Sequence, residues 1–248
     1  IRSLAVSVDT VPREGWTYDQ FFDLAEACPD SRLLQTYTPT VVWNLLSRTM
    51  ASYIDWDEGK CSFDSPEFIH LLECVGALDY PENQVSQTVW YESEEIEKFI
   101  HQEFLVMDSS NYSPNDFSRR FEQYKGKAWE VGYPTQEGEL CYLLHPGIQF
   151  SIYENASCKE GAWAFLEFAL SEAEQSWYGS EGGGFPVRKE AFETYLIKPF
   201  HPLYNMQSDY SSQETAERIR DIAGHLRVEQ PIAGGKIADI IPEETGAF

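Results

Sequence analysis

Apolar positions recur with helical spacing over several stretches, and each stretch opens on a recognisable start signal. Thr17 with Gln20 three residues on forms a capping box ahead of Phe21, Phe22, Leu24 and Ala25, and Pro29-Asp30 closes the run, which predicts a helix over 17–28. Trp16, directly before the cap, is placed to act as a hydrophobic staple. Thr38-Pro39, Ser65-Pro66 and Ser113-Pro114 each put a capping hydroxyl before a proline at the first helical position. The stripes that follow are Val41, Val42, Leu45 and Leu46; Phe68, Leu71, Leu72 and Val75; and Phe117, Phe121 and Tyr124. Ser93 with Glu94, Glu95 and Glu97 opens a helix ending near Phe104. The longest prediction is a single helix over 159–178, with Trp163 and Phe168 assigned to packing and Gly182-Gly183-Gly184 as its stop. A last helix is predicted over about 212–227.

Strand signals are shorter. Ile1 to Val8 reads as the middle of a strand, Leu105 to Asp108 as another, and Trp129–Tyr133 and Gln149–Tyr153 as two more that end in turn chemistry. Asp55 to Gly59 reads as a tight turn between two short strands; its alternating acids lack the order of an EF-hand loop. Helices with short strands between them predict α/β layers.

Composition narrows the function classes. Forty-one acidic against 18 basic residues give a formal charge of -23, which argues against nucleic acid and anionic lipid as partners and leaves room for a neutral or cationic ligand. A hydrophobic content of 42% and an aromatic content of 15% fit a folded chain, and no long apolar run reads as a membrane span. The five cysteines and five histidines are dispersed, without CxxC, HxxxH or HExxH, so neither metal nor cofactor is expected. No GxSxG, SxxK or papain-type cysteine motif points to nucleophilic catalysis.

Candidate contact residues come from the polar loop after the 105–108 strand. Ser109, Ser110, Asn111 and Tyr112 stand between a strand and a capped helix, at the carboxyl end of a strand, where open α/β sheets place their ligands. An aromatic face there can stack on a sugar ring while Ser and Asn bond its hydroxyls.

The runs Gly15-Trp16-Thr17-Tyr18-Asp19-Gln20-Phe21, Tyr53-Ile54-Asp55-Trp56 through Gly59 to Ser65 and Phe68, Gly132-Tyr133-Pro134-Thr135, Lys159 through Leu166, and Gly184-Phe185-Pro186-Val187-Arg188-Lys189 follow one another in an order that resembles the sugar-type extracellular solute-binding proteins of bacterial ABC importers. The resemblance implies a type II periplasmic-binding-protein fold of the maltose-binding kind, present mainly as its second lobe and incomplete. Residues 1–134 would form the first part of lobe two, 135–186 would belong to lobe one, and 187–248 would return to a truncated lobe two. It also implies a carbohydrate ligand held between lobes, delivery to the permease's transmembrane subunits, and an extracellular, lipid-anchored full-length form whose signal and most of lobe one lie outside these 248 residues. By position it adds His145, where relatives place a Ser/Gly segment and His145-Pro146 departs from the pattern, and Trp43, for which core packing is the competing role. A glycan-active α/β enzyme and an acidic interaction domain are the rival classes.

Overall fold

The computed structural model describes residues 1–36, 38–55, 57–80, 93–181, 184–197 and 212–228. The chain divides into two compact units, each built from non-contiguous segments. One, the helical unit, holds Ile1, Ser110–Gln123 and His145–Gly224; the other, the sheet unit, holds Arg2–Ser109, Tyr124–Leu144 and the stretch from His225.

The sheet unit begins with β1 (Arg2–Val6), whose residues are almost all buried, as befits a central strand covered on both faces. The helix α1 (Tyr18–Ala27) follows. Thr17 caps it with both halves of the expected capping box, an arrangement worth about 1 kcal/mol. The staple is also in place: Trp16 is fully buried and meets Phe21 edge-on at 5.6 Å. Next come β2 (Arg32–Leu34), α2 (Pro39–Leu46) and a 3-10 stretch over Ser47–Tyr53. Thr38 caps α2 and Ser65 caps α3 (Pro66–Ala77), each with the proline at its start.

Between α2 and α3 lies the expected turn, flanked by β3 (Ile54–Asp55) and β4 (Lys60–Cys61) paired antiparallel. Asp55 Oδ1 accepts from the amides of Asp57 and Glu58 at 3.0 and 2.9 Å, and Gly59 takes the positive φ of 63° that closes the turn.

The chain continues through α4 (Ser93–Ile100), β5 (Phe104–Ser110), α5 (Pro114–Tyr124), β6 (Trp129–Glu130) and β7 (Tyr142–Leu144), and β8 (Leu226–Val228) completes the sheet. The main sheet runs β2-β5-β1-β7-β8 with β6 also on β1; β2/β5 and β7/β8 are parallel, while β1 meets β6 and β7 antiparallel. The fold is therefore mixed α/β. Leu4, Val6, Trp16, Phe21, Leu33, Val42, Trp43, Phe68, Val106 and Leu143 belong to one continuous core. Gly132, at φ 73°, sits where a Cβ would come within 2.5 Å of the Cys141 carbonyl, so the close approach of the segment after β6 to the start of β7 requires glycine.

The helical unit contains most of α5, then α6 (Lys159–Ala169), α7 (Glu172–Glu181), α8 (Lys189–Ile197) and α9 (Ser212–Gly224). Phe117 contacts Phe121 and Phe185, Phe185 contacts Phe192, and the Arg218 guanidinium lies 4.8 Å over Phe121. No helix among the described residues is long and apolar enough to cross a membrane.

Several expectations are corrected. The helix expected over 159–178 is two: Leu170 leaves the helix and the Ser171 hydroxyl accepts from the Glu174 amide, a Ser-x-x-Glu start inside an apolar run. Trp163 and Phe168 are not packed but 57% and 56% exposed, and α6 has no buried residue. Gln149–Tyr153 is not a strand, whereas the short β2, β7 and β8 were not anticipated, and β8 replaces the end of the helix expected over about 212–227, which stops at Gly224. Gly182-Gly183, expected as the helix stop, lies outside the described residues, as does Trp56.

One contact ties β8 back to the segment before β7. Arg227 Nη2 donates to Glu139 Oε1 at 2.6 Å and the Thr135 hydroxyl donates to Oε2 at 2.8 Å. The Arg227 hydrogen bond, ahead of the opposing effect of burial, holds the Glu139 carboxyl below its ordinary range. A carboxyl lowered in the folded state stabilises above its unfolded pKa, and that contribution is lost as the pH falls through the folded value. Arg227→Met is therefore expected to lower the melting temperature at neutral pH, with the gap to the parent closing in acid below about pH 4; melting curves across pH check this.

Candidate functional site

The carboxyl end of β5 carries a polar cluster built from distant parts of the sheet unit. Burial of the strand continues past the expected end at Asp108, so Ser109 and Ser110 are strand residues and not loop. Asp108 accepts from Arg48 Nη1 at 2.9 and 2.7 Å through its two oxygens, and from the Tyr133 hydroxyl at 2.7 Å. Arg48 also donates to the Tyr133 hydroxyl and lies 5.5 Å over that ring. The 3-10 stretch positions Arg48, and the Gly132 turn positions Tyr133.

The ion pair is half-buried, with side-chain exposures of 22% for Arg48 and 33% for Asp108. Burial alone would lower the guanidinium's pKa, but the opposing pull of Tyr133 and Asp108 raises it further, so Arg48 stays charged. Burial, reinforced by Asp108, pushes the Tyr133 phenol well up, so it remains a hydrogen-bond donor at all ordinary pH.

A second acid is equally occupied. Glu130 on β6 accepts from the Ser109 hydroxyl at 3.1 Å, from the Tyr124 hydroxyl at 3.0 Å and from Ser3. Both carboxylates are thus held by several donors, an arrangement that fixes structure and orientation.

The predicted contact residues are distributed as follows. Ser109 is buried on β5 and bonded to Glu130; Trp43 is buried in the sheet-unit core, edge-on to Phe68 at 6.1 Å. Ser110, Asn111, Tyr112 and His145 belong to the helical unit. Asn111 is buried and its amide donates to the Ile1 carbonyl at 2.8 Å, Ser110 is half-buried, and His145 is exposed. Tyr112 stands out: the residue is 67% exposed, while its own amide and the amide and hydroxyl of Ser113 all donate to Asp116 Oδ2 at 3.0 Å. The capped start of α5 therefore holds an aromatic face out to solvent on a fixed backbone.

Sequence reasoning did not single out Arg48, Tyr133 or Glu130. The available signals were slight: an arginine two residues after the Leu45-Leu46 stripe, and a glycine before Tyr133.

No protein-family model matches the sequence, and no curated protein matches it. Among solved structures the chain is similar to a protein assigned as an oligosaccharide periplasmic-binding protein from Synechococcus sp. MITs9220, at 12% identity and a TM-score of 0.49, covering 93% of this chain and 61% of that one. It is similar in the same degree to the cyclic alpha-maltosyl-1,6-maltose binding protein from Arthrobacter globiformis, at 15% identity and a TM-score of 0.49, covering 93% and 60%. The chain thus spans about three fifths of the length of these structures. Likeness at this level says nothing about ligand or activity.

Proposed function

We propose that the protein is the substrate-binding component of an ABC importer, which captures a carbohydrate outside the cell and delivers it to the permease, its full-length form being held at the cell surface by a lipid anchor. The observation that carries the reading is Tyr112, an exposed ring on a backbone locked by Asp116. An aromatic side chain on a fixed backbone stacks on the apolar face of a sugar ring at low entropic cost, since only its two side-chain torsions are left to order on binding. Asp108, tied by two side chains, and Glu130, tied by three, serve as braces and are not poised as a general acid and base, which favours binding over glycan chemistry.

The lobe division at 134 and 186 is part of this reading. Construction from non-contiguous segments supports it in kind, with contact boundaries near 110, 124, 145 and 225. The exposed apolar residues Trp163, Phe165 and Phe168 support it too, because α6 lies within 135–186 and its cover would be the rest of lobe one.

A thermal-shift and calorimetric screen against neutral oligosaccharides tests the function. The protein with a complete first lobe is expected to bind one of them at micromolar concentration, these 248 residues alone far more weakly, and Tyr112→Ala to weaken binding about tenfold. Turnover of a chromogenic glycoside, or full affinity in the Tyr112 variant, would overturn the reading.

A further inference from the structure

We propose that Asp19, His70 and Cys74 form a binding site for a divalent transition metal of the zinc class, which clamps α1 to α3. His70 and Cys74 stand one turn apart on α3 and so share a face. Asp19 lies in the first turn of α1 and reaches across, its Oδ1 3.0 Å from His70 Nε2. Cys74 Sγ lies 3.6 Å from the same nitrogen, and the three donor atoms are all within 4.8 Å of one another.

The donors come within reach of a tetrahedral metal once the His70 ring turns its Nε2 toward the sulfur. Bonds of about 2.0 Å to nitrogen and oxygen and about 2.3 Å to sulfur give a nitrogen–sulfur edge of about 3.5 Å and a nitrogen–oxygen edge of about 3.3 Å. The observed edges are 3.6 and 3.0 Å.

The geometry also distinguishes this cluster from a nucleophilic relay. In a relay the acid and the nucleophile sit on opposite nitrogens of the imidazole. Here the carboxylate sits at Nε2 while the sulfur stands beside the ring, 3.6 Å from Nε2 and 3.9 Å from Nδ1, so it is not aligned on the nitrogen opposite the acid as a relay requires. Thiolate and imidazole together favour zinc or cobalt over magnesium or calcium, which take oxygen ligands. Binding transfers the thiol proton to solvent as the metal–sulfur bond forms.

The test is titration of the protein with Co²⁺, followed by the near-ultraviolet sulfur-to-cobalt charge-transfer band. The expected result is saturation at one equivalent and bleaching of the band by Zn²⁺ but not by Mg²⁺. Cys74→Ser should lose the band and His70→Gln should weaken binding more than about 100-fold, since even loss of an outer partner costs about 10–100-fold. Cys61→Ser, at an exposed thiol elsewhere in the sheet unit, should leave the band unchanged. These side chains lie at the surface or are half-buried, and variants whose metal-free circular dichroism matches the parent report on binding alone. No saturable uptake, a band that survives Cys74→Ser, or one abolished by Cys61→Ser would each overturn the site.

Discussion

Trp16→Ala is expected to cost about 4 kcal/mol of unfolding free energy in the sheet unit, in the range found when a large buried aromatic is cut to alanine. Two roles end with the ring and a third depends on it. It is fully buried against Phe21, its Nε1 donates to the Gly132 carbonyl at 3.2 Å, and its own carbonyl accepts from the Thr135 amide at 3.0 Å. The first two are lost outright; the third depends on the backbone position that the ring holds. Trp16→Phe keeps most of the packing and loses the Nε1 hydrogen bond, so about 1–2 kcal/mol is expected. Urea unfolding followed by far-ultraviolet circular dichroism separates the two, and a loss below about 1 kcal/mol for the alanine variant would contradict the placement of Trp16 at the centre of this core.

Asp108→Ala is expected to cost about 3 kcal/mol, the low end for breaking a buried ion pair because this one is part-exposed. Removing the carboxylate leaves the Arg48 guanidinium desolvated, with Tyr133 as its remaining partner in the cluster. Replacing both charges with apolar groups of similar size, as in Arg48→Met with Asp108→Leu, is expected to recover most of that loss. Tyr133→Phe removes only the hydroxyl and should cost about 1–2 kcal/mol. A double variant no more stable than Asp108→Ala would show that the pair is not coupled; the double-mutant cycle in urea measures this directly.

Legibility in the sequence followed the range of the interaction. The Thr17/Gln20 capping box, the three hydroxyl–proline helix starts, the Trp16 staple and the Asp55 to Gly59 turn all join residues within a few positions of one another, and all stand in the structure as read. The break at Leu170-Ser171 was equally local, since Ser171 and Glu174 carry the start signal, but the apolar period running across it obscured the signal. The stripe on α6 marks a face that prefers cover, whereas its exposure shows that periodicity cannot say which segment supplies the cover.

Local chemistry, the caps, staples, turns and helix faces, was thus determined by the sequence alone, because backbone groups at a helix end or a turn find their partners in neighbouring side chains. The meeting of Arg48, Asp108 and Tyr133, and of Asp19 with His70 and Cys74, was decided only by the tertiary structure. Asp108 is 60 positions from Arg48 and Asp19 is 51 from His70. Such separations close only when the sheet takes the order β2-β5-β1-β7-β8 and the helices pack onto a shared core.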